Sequence, residues 1–380
     1  MKRLLACIFH PPSGESEPER LVDAGREAAA RDLISILRAA DIEPLLVSAA
    51  SRENAGRRSD LEIEIVETDG GRPFHFGESL KRLIRDRRPN GLLYFGSGSG
   101  FLLSHEQVLE FRDFARRDAS AALLNNFYSC DYAAISEVSR VLGFNLPRTD
   151  NPLGLVLADA GVPCFALKRS AETQFDIDTP TDLLVLQVSE RGGPAIRSFV
   201  DDLELSHPFL PKILGLLSDR TALVHFLGRV SPRTWTDIER QIACRTGGSI
   251  EGRGMRTGAS VHPPFLQKTL REEGDRVFFR RLSQACDGAV IDTRPLLADE
   301  GWLPEADVRF ASDLLRPEAI RDPRWRSFTE AALDAEIPVL LGGHSIVSGG
   351  LYLLADACWK GRDLPRRLHP EPFDLDKERS

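Results

Sequence analysis

The sequence predicts an α/β protein of two units, each built on a mostly parallel sheet. Apolar segments of strand length alternate with helical periodicity from residue 4 to about 190, and this alternation restarts near residue 220. At 380 residues the chain is long enough for two domains. We expect a three-layer N-terminal domain over 1–190, a linker with short helices over 191–220, and a Rossmann-like C-terminal domain over 221–380.

The N-terminal elements follow from periodicity. Residues 4–9 are apolar and predict the first buried strand, and residues 24–40 place Leu33, Ile36 and Leu37 on one helix face. Residues 91–95 are apolar on both faces, which is typical of a central parallel strand. The remaining predicted elements are strands over 44–48, 63–66, 121–125 and 162–167, and helices over 78–87, 104–117, 132–141 and 152–160.

Two helix starts carry capping signals. Ser104 with Gln107 three residues later forms a Ser-x-x-Gln capping box. Thr179 is a suitable N-cap, followed by Pro180 at the first helical position and Asp182 at the third. We therefore expect helices to begin directly after Ser104 and Thr179.

The C-terminal elements are sparser. Strands are predicted over 222–227, 289–292 and 337–341, and helices over 232–244 and 351–359. The tail from Pro365 is rich in proline and charge, so we expect it either to fray or to lie over the surface.

Composition excludes several functional classes. Hydrophobic residues make up 42% and charged residues 28% of the chain, and no segment approaches the roughly 18 apolar residues that cross a bilayer. A net charge of −8 with interspersed signs gives no basic surface for nucleic acid. The six cysteines stand singly, without metal-finger spacing. We expect a cytoplasmic protein that binds neither nucleic acid nor membrane, of undetermined oligomeric state.

One motif indicates a family. Residues 175–183, Phe-Asp-Ile-Asp-Thr-Pro-Thr-Asp-Leu, closely match an Asp-Ile-Asp-Thr-Pro-Glu-Asp-Leu motif. The order of a strand, a glycine turn at 96–100, Leu-Leu-Ser-His-Glu at 102–106 and a strand ending at Asn125 agrees with it. Residues 1–190 thus resemble the nucleotide-diphospho-sugar transferase fold, and within it the molybdenum-cofactor and phospholactate guanylyltransferases. The C-terminal half resembles no family that we recognise.

The resemblance implies a function and site residues. It implies transfer of a nucleotidyl group from an NTP to a phosphorylated or sugar-like small molecule, with Asp176 and Asp178 holding Mg²⁺. The two carboxylates lie two residues apart, so on an extended segment both point to one side. Asp178 alternatively satisfies backbone donors at the helix start. Asn125 and Asn126 either hydrogen-bond a base or ribose, or cap a turn.

Two positions depart from the family pattern. The family carries a glycine-rich or lysine-containing loop after the first strand, whereas residues 10–20 here contain prolines and glutamates. Arg20 is the one arginine of that loop. It either contacts an anion or is a solvated side chain at the helix entry. The family also places a metal-binding aspartate in the glycine turn. The turn here has none, and it forms either a phosphate-binding backbone nest or a plain tight turn; its residues are Gly96, Ser97, Gly98, Ser99 and Gly100.

The second half offers a candidate ligand loop. Gly342, Gly343, His344 and Ser345 follow a strand, so their backbone either holds an anion or packs a helix on the sheet. Val347 stands where the Gly-x-Ser-x-Gly nucleophile elbow needs glycine, which argues against a hydrolase.

Other polar residues of the second half follow the same logic. Asp292 and Arg294 also lie at the end of a strand. They either form an ion pair with each other or face the same crevice as His344. Arg253 and Arg256 suit a phosphate or carboxylate, or form a plain basic loop.

The residues thus support two main hypotheses. The first is a nucleotidyltransferase-like protein with an altered site, whose catalytic activity the sequence leaves open. The alternative is a non-catalytic protein that binds a nucleotide or a phosphorylated metabolite. A weaker third hypothesis places separate chemistry around His344, Ser345 and Asp292.

Overall fold

A computed structural model describes residues 3–10, 14–49, 63–68, 74–250, 265–297 and 304–362. It confirms the α/β class, with one seven-stranded and one four-stranded sheet. Within these ranges no helix has both the length and the apolar character needed to cross a membrane. The loop with Arg253 and Arg256 and the tail from Pro365 lie outside the described residues.

The first sheet is mostly parallel. Its strands are β1 (Leu4–His10), β2 (Pro44–Ala49), β3 (Glu64–Thr68), β4 (Gly91–Gly96), β5 (Ala122–Leu124), β6 (Tyr132–Ser136) and β7 (Cys164–Ala166). Their spatial order is β3-β2-β1-β4-β6-β5-β7. Only β6 runs antiparallel to its neighbours, β4 and β5. The carboxyl ends of β1 and β4 therefore meet at one edge of the sheet.

The predicted helix over 132–141 is wrong. Residues Tyr132–Ser136 form strand β6 with every residue buried, and a 3-10 turn, Val138–Gly143, follows. The run Tyr-Ala-Ala-Ile is apolar on both faces and too short for its periodicity to separate a strand from a helix. Pairing with β4 on one side and β5 on the other decides the conformation.

Helices cover both faces of this sheet, as the three-layer prediction requires. They are α1 (Glu17–Ala39), α2 (Phe76–Arg87), α3 (His105–Ala115) and α4 (Leu153–Asp159). Alternate strand residues point to opposite faces. Ile8 and Phe95 share a core with α1 and α3, whereas Cys7 and Tyr94 share one with α2 and α4.

The capping box predicted at Ser104 and the helix start predicted after Thr179 are both present. The Ser104 hydroxyl accepts from the Gln107 amide at 3.2 Å, and the Gln107 side chain accepts from the Ser104 amide at 2.9 Å. After the short helix α5 (Ala171–Gln174), helix α6 (Pro180–Ser189) begins behind Thr179. The Asp182 carboxylate accepts from the Thr179 amide at 2.7 Å.

The connecting segment is built into both units. Helix α7 (Pro194–Asp201) packs on α1, where the Asp32 carboxylate accepts from the amides of Ala195 at 3.0 Å and Ile196 at 2.9 Å. These amides are among the orphan donors that any helix N-terminus carries. Helix α8 (Leu210–Leu217) instead packs beneath the second sheet.

The second sheet is entirely parallel. Its strands are β8 (Leu223–Gly228), β9 (Arg245–Ile250), β10 (Gly288–Asp292) and β11 (Val339–Gly342), in the order β11-β10-β8-β9. The helix predicted over 232–244 is shorter than expected, because α9 stops at Glu239, and the unpredicted strand β9 begins at Arg245. The helices around this sheet are α9 (Pro232–Glu239), α10 (Phe265–Glu273), α11 (Asp275–Ala285), α12 (Thr293–Leu297), α13 (Ala306–Asp313), α14 (Pro323–Leu333) and α15 (Gly349–Ala357).

The two units share a hydrophobic core. Helix α15 of the second unit packs on α5 and α6 of the first. One continuous cluster of buried side chains contains Ile8 and Leu184 from the first unit and Phe226 and Leu353 from the second. The start of α15 approaches the first unit so closely that a Cβ atom added at Gly349 would lie 2.2 Å from the Phe175 backbone nitrogen.

Gly349→Ala is expected to destabilise the protein by about 3 kcal/mol, at the upper end of overpacking effects. The added methyl group meets backbone, which cannot move aside as a flexible side chain can. Gly215→Ala in α8 is the matched control, because its Cβ would meet nothing within 4 Å. That control should gain up to about 1 kcal/mol from helix propensity. Urea unfolding measures both variants, and equal midpoints would contradict the close approach.

Candidate functional site

A cavity of about 690 Å³ lies where the carboxyl ends of the two sheets face each other. The first unit contributes Phe9 at the end of β1 and the glycine turn after β4. The second unit contributes Arg229, Arg294 and His344, which follow β8, β10 and β11. In parallel α/β sheets the strand ends are where ligands bind. Here two such edges form opposite walls of one cavity.

The glycine turn after β4 is held in place by backbone contacts. The Ser97 amide donates to the Phe9 carbonyl at 2.9 Å, and the amides of Gly96 and Ser99 donate to the carbonyls of Asp131 and Gly96. These three donors are therefore engaged within the protein. The Ser97 hydroxyl is 1% exposed, lines the cavity and has no hydrogen-bond partner among the described residues. It is a donor of the turn that a ligand can use.

An aspartate from another segment lies against this turn. Ser99 forms an antiparallel bridge with Asp176, and the Ile177 amide donates to the Gly98 carbonyl at 3.1 Å. A Cβ atom built at Gly98 would lie only 2.8 Å from an Asp176 carboxylate oxygen. Glycine at 98 thus leaves room for Asp176, which takes the side of the turn where a side chain at 98 would project.

Five aspartates line the same cavity: Asp23 of α1, and Asp131, Asp150, Asp176 and Asp178 from the loops around it. Burial, and next the Asp150 carboxylate, raise the pKa of Asp131 to about 8. Burial raises the pKa of Asp150 to about 6. Burial and the neighbouring Asp178 carboxylate raise the pKa of Asp176 well above its ordinary value. Carboxylates that are buried and repel one another form a site that a cation stabilises.

These carboxylates fit Mg²⁺ in their chemistry. Mg²⁺ takes hard oxygen ligands, and it is usually held by one or two carboxylates together with substrate phosphates and water. Asp176 and Asp178 both face the cavity, and the Asp178 side chain is 45% exposed. A nearby Arg26 nitrogen lies 3.5 Å from Asp178, and the Arg26 Nε donates to the Ile177 carbonyl at 2.7 Å.

Asp131 and Asp150 were not identified from the sequence. Asp131 directly precedes β6, the segment predicted as a helix, so its position at a strand edge was not foreseen. Asp150 lies in a polar loop before α4. The run Thr149-Asp150-Asn151 was the available signal, but such runs are common in loops. Only the folded sheet brings these loops beside Asp176.

The opposite wall carries arginines that are paired behind the cavity surface. Arg229 donates two hydrogen bonds to Asp292, at 2.6 and 3.0 Å, and Asp292 is 0% exposed. Arg294 donates to Asp313 at 2.8 and 3.1 Å. Asp292 and Arg294 thus do not form an ion pair with each other; Asp292 pairs with Arg229, and Arg294 pairs with Asp313. Arg294 lines the cavity and Asp292 does not.

Another arginine at the cavity is less engaged. Arg148 is exposed, lines the cavity and makes no hydrogen bond or ion pair through its side chain with any described residue. Its guanidinium is therefore available to an anion.

The loop after β11 joins the two walls. Gly343, His344 and Ser345 line the cavity, and the Ser345 hydroxyl accepts from the Asp176 amide at 3.3 Å. Burial, and next Arg229, lower the pKa of His344 to about 4, so its ring is neutral near pH 7. The His344 Nδ1 has no hydrogen-bond partner among the described residues.

Several predicted site residues lie away from the cavity. The Asn125 side chain accepts from the amides of Asp131 at 2.9 Å and Tyr132 at 3.3 Å, and it donates to the Asp131 carboxylate at 2.8 Å. Asn125 thus positions Asp131. Four other predicted site residues do not line the cavity: Arg20, Gly100, Asn126 and Gly342. The Arg20 guanidinium donates to the Glu15 carbonyl, and the Asn126 side chain accepts from the Tyr128 amide.

No protein-family model matches the sequence, and no curated protein matches it. Solved nucleotidyltransferases are similar to about half of the chain, over its N-terminal part. They include a nucleotidyl transferase from Methanothermobacter, with 15% identity over 48% of this chain and 94% of that one and a TM-score of 0.38. A cytidylyltransferase from Leptospira borgpetersenii has 10% identity over 55% of this chain and 100% of that one, with a TM-score of 0.40.

A third solved structure is the 4-diphosphocytidyl-2C-methyl-D-erythritol synthase from Anaerococcus prevotii. It has 14% identity over 48% of this chain and 95% of that one, with a TM-score of 0.32. Similarities of this size do not identify a substrate.

Proposed function

We propose that this cavity binds a nucleoside triphosphate with Mg²⁺ and transfers the nucleotidyl group to a phosphorylated or sugar-like small molecule. The observation that supports the proposal is the pairing of charges in one cavity. Carboxylates that favour a cation come from the first unit, and arginines that favour anions come from both units. A metal-bound polyphosphate carries both charges, and a neutral ligand would leave both sets unused.

In this proposal the nucleotide phosphates lie against the glycine turn. The Ser97 hydroxyl donates to a phosphate oxygen, which gives this buried group the partner that it lacks within the described residues. Asp176 and Asp178 hold Mg²⁺, which when bound neutralises the charge that develops as pyrophosphate leaves. Arg26 keeps the Asp176–Asp178 segment in place through the Ile177 carbonyl.

The acceptor occupies the side formed by the second unit. Arg294 orients its anionic group, and Gly343 gives close access to the backbone of the loop. An acceptor oxygen attacks the α-phosphorus of the nucleotide and forms a new phosphorus–oxygen bond. The bond from that phosphorus to the oxygen bridging the β-phosphate breaks, and pyrophosphate leaves with the electron pair.

The proposal is tested by thermal unfolding of the full chain with each of the four ribonucleoside triphosphates, with Mg²⁺ or with a chelator. One nucleotide should stabilise the protein only when Mg²⁺ is present. At a ligand concentration of 100 times Kd the expected gain is about 2.7 kcal/mol. The corresponding nucleoside is the control, since without phosphates it should give no shift.

The outcomes separate the hypotheses. If no nucleotide stabilises the protein, with or without Mg²⁺, the proposal is rejected. An Mg²⁺-dependent shift without pyrophosphate release in the presence of candidate acceptors would instead assign the cavity to a non-catalytic binding protein. Phosphorylated sugars and phosphorylated small alcohols are the acceptors to screen first, because the acceptor side carries arginines.

A further inference from the structure

A second set of metal-ligating side chains lies where the first strand meets the first helix. His10 ends β1, and Asp23 and Glu27 belong to α1. One ligand atom from each lies within 4.8 Å of the other two. The His10 Nε2 and an Asp23 carboxylate oxygen are 2.7 Å apart. Among the described residues these three form the only such group of histidine, cysteine, aspartate and glutamate side chains.

The fold holds these side chains together. The His10 side chain is 2% exposed and the Asp23 side chain 13% exposed, so neither is free to turn into solvent. Asp23 and Glu27 are four residues apart on α1, and side chains at this spacing lie one above the other on a helix face. Two like charges at this spacing destabilise a helix, and a cation between them reverses that effect.

We infer that His10, Asp23 and Glu27 bind one divalent transition-metal ion, with Zn²⁺ as the best match. An imidazole nitrogen with two carboxylates is a ligand set that zinc accepts, whereas Mg²⁺ prefers oxygen ligands alone. Three protein ligands leave a position for water or a ligand oxygen, as in open zinc sites. Asp23 also lines the large cavity, so the ion would lie at its edge.

This inference does not depend on the proposed nucleotidyl transfer. Its ligands come from β1 and α1, and the carboxylates assigned to Mg²⁺ come from the segment before α6. Zinc binding and the nucleotide response can therefore succeed or fail separately.

The test titrates metal-free full-length protein with Zn²⁺ by calorimetry and with Co²⁺ by visible absorption. Glu27→Gln is the main variant, because Glu27 is only partly buried and its replacement should not disturb folding. His10→Gln keeps a side-chain amide that can still donate to Asp23. Glu330→Gln, an exposed glutamate in α14, and Asp176→Asn are the controls. Circular dichroism of the metal-free variants checks that each one folds.

Wild type and both controls should bind one Zn²⁺ ion with the same affinity. Glu27→Gln and His10→Gln should bind that ion more weakly. The loss should exceed tenfold, which is about the effect of removing a group that merely supports a ligand. The Co²⁺ spectrum should lose its ligand-field bands in the same two variants. Unchanged Zn²⁺ affinity in Glu27→Gln, no Zn²⁺ binding by wild type, or a loss confined to Asp176→Asn would each overturn the inference.

Discussion

Replacing Asp176 with asparagine is expected to stabilise the metal-free protein and to abolish its Mg²⁺-dependent response to nucleotides. Ionised Asp176 is buried beside Asp178, and both burial and repulsion raise its pKa. A carboxyl whose pKa is higher in the folded than in the unfolded state costs stability once the pH exceeds its unfolded pKa. The neutral amide removes that cost, so we expect a gain on the order of 1 kcal/mol near pH 7.

The same substitution removes a charged ligand from the proposed metal site. Turnover, where an acceptor supports it, should fall about 100-fold or more, because metal ions contribute several kcal/mol to charge stabilisation. Asp86→Asn, an exposed position in α2, is the control and should change neither property. Thermal unfolding with and without Mg²⁺ and nucleotide measures both effects. A variant that loses stability and keeps its Mg²⁺-dependent shift would show that Asp176 is structural.

Arg229→Met is expected to destabilise the protein by about 3–5 kcal/mol, since removing one partner of a buried ion pair leaves an unpaired charge. Asp292 is 0% exposed and receives two hydrogen bonds from Arg229. Burial alone would raise the pKa of Asp292, and Arg229 is the main reason that it lies below its ordinary value. The variant should therefore also shift the acid limb of the stability profile, because Asp292 would then protonate at higher pH.

Arg233→Met is the matched control four residues away. Arg233 is 66% exposed, and its ion pair with Asp237 spans one helical turn, so its loss should cost no more than about 0.5 kcal/mol. Adding Asp292→Asn to Arg229→Met should recover part of the lost stability, because no unpaired charge then remains buried. Chemical unfolding at pH 7 gives the three differences. Equal effects of Arg229→Met and Arg233→Met would show that solvent reaches Asp292.

The sequence predicted the fold where local signals are strong. Strands that are apolar on both faces, such as 91–95, and the helix starts at Ser104 and Thr179 were found because short-range chemistry determines them. Strand β6 was missed because its partners, not its own residues, decide its conformation. Strand β9 was missed because Arg-Thr-Gly-Gly lacks the apolar run of a buried strand.

The candidate site was only partly predictable, for a related reason. Asp176 and Asp178 stand in a motif, so their common direction follows from spacing alone. Asp131 and Asp150 lie in loops that are distant in sequence from Asp176 and meet it only after folding. His10 and Asp23 are close in sequence, but only the packing of α1 against β1 brings their side chains together. The turn without a carboxylate was recognised correctly, but its explanation is a contact: Gly98 is small because Asp176 lies against it.

The segment from Asp176 to Thr179 is bound on two sides, to the glycine turn by the Ile177 amide and to the second unit by Ser345. A chain cut near residue 190 would lose one of these attachments and expose the apolar surface of α6, where Leu184 and Leu186 are buried. The two sheets should therefore melt in a single cooperative transition, with calorimetric and van't Hoff enthalpies in agreement. Neither half is then a module that can be exchanged between proteins without rebuilding its partner.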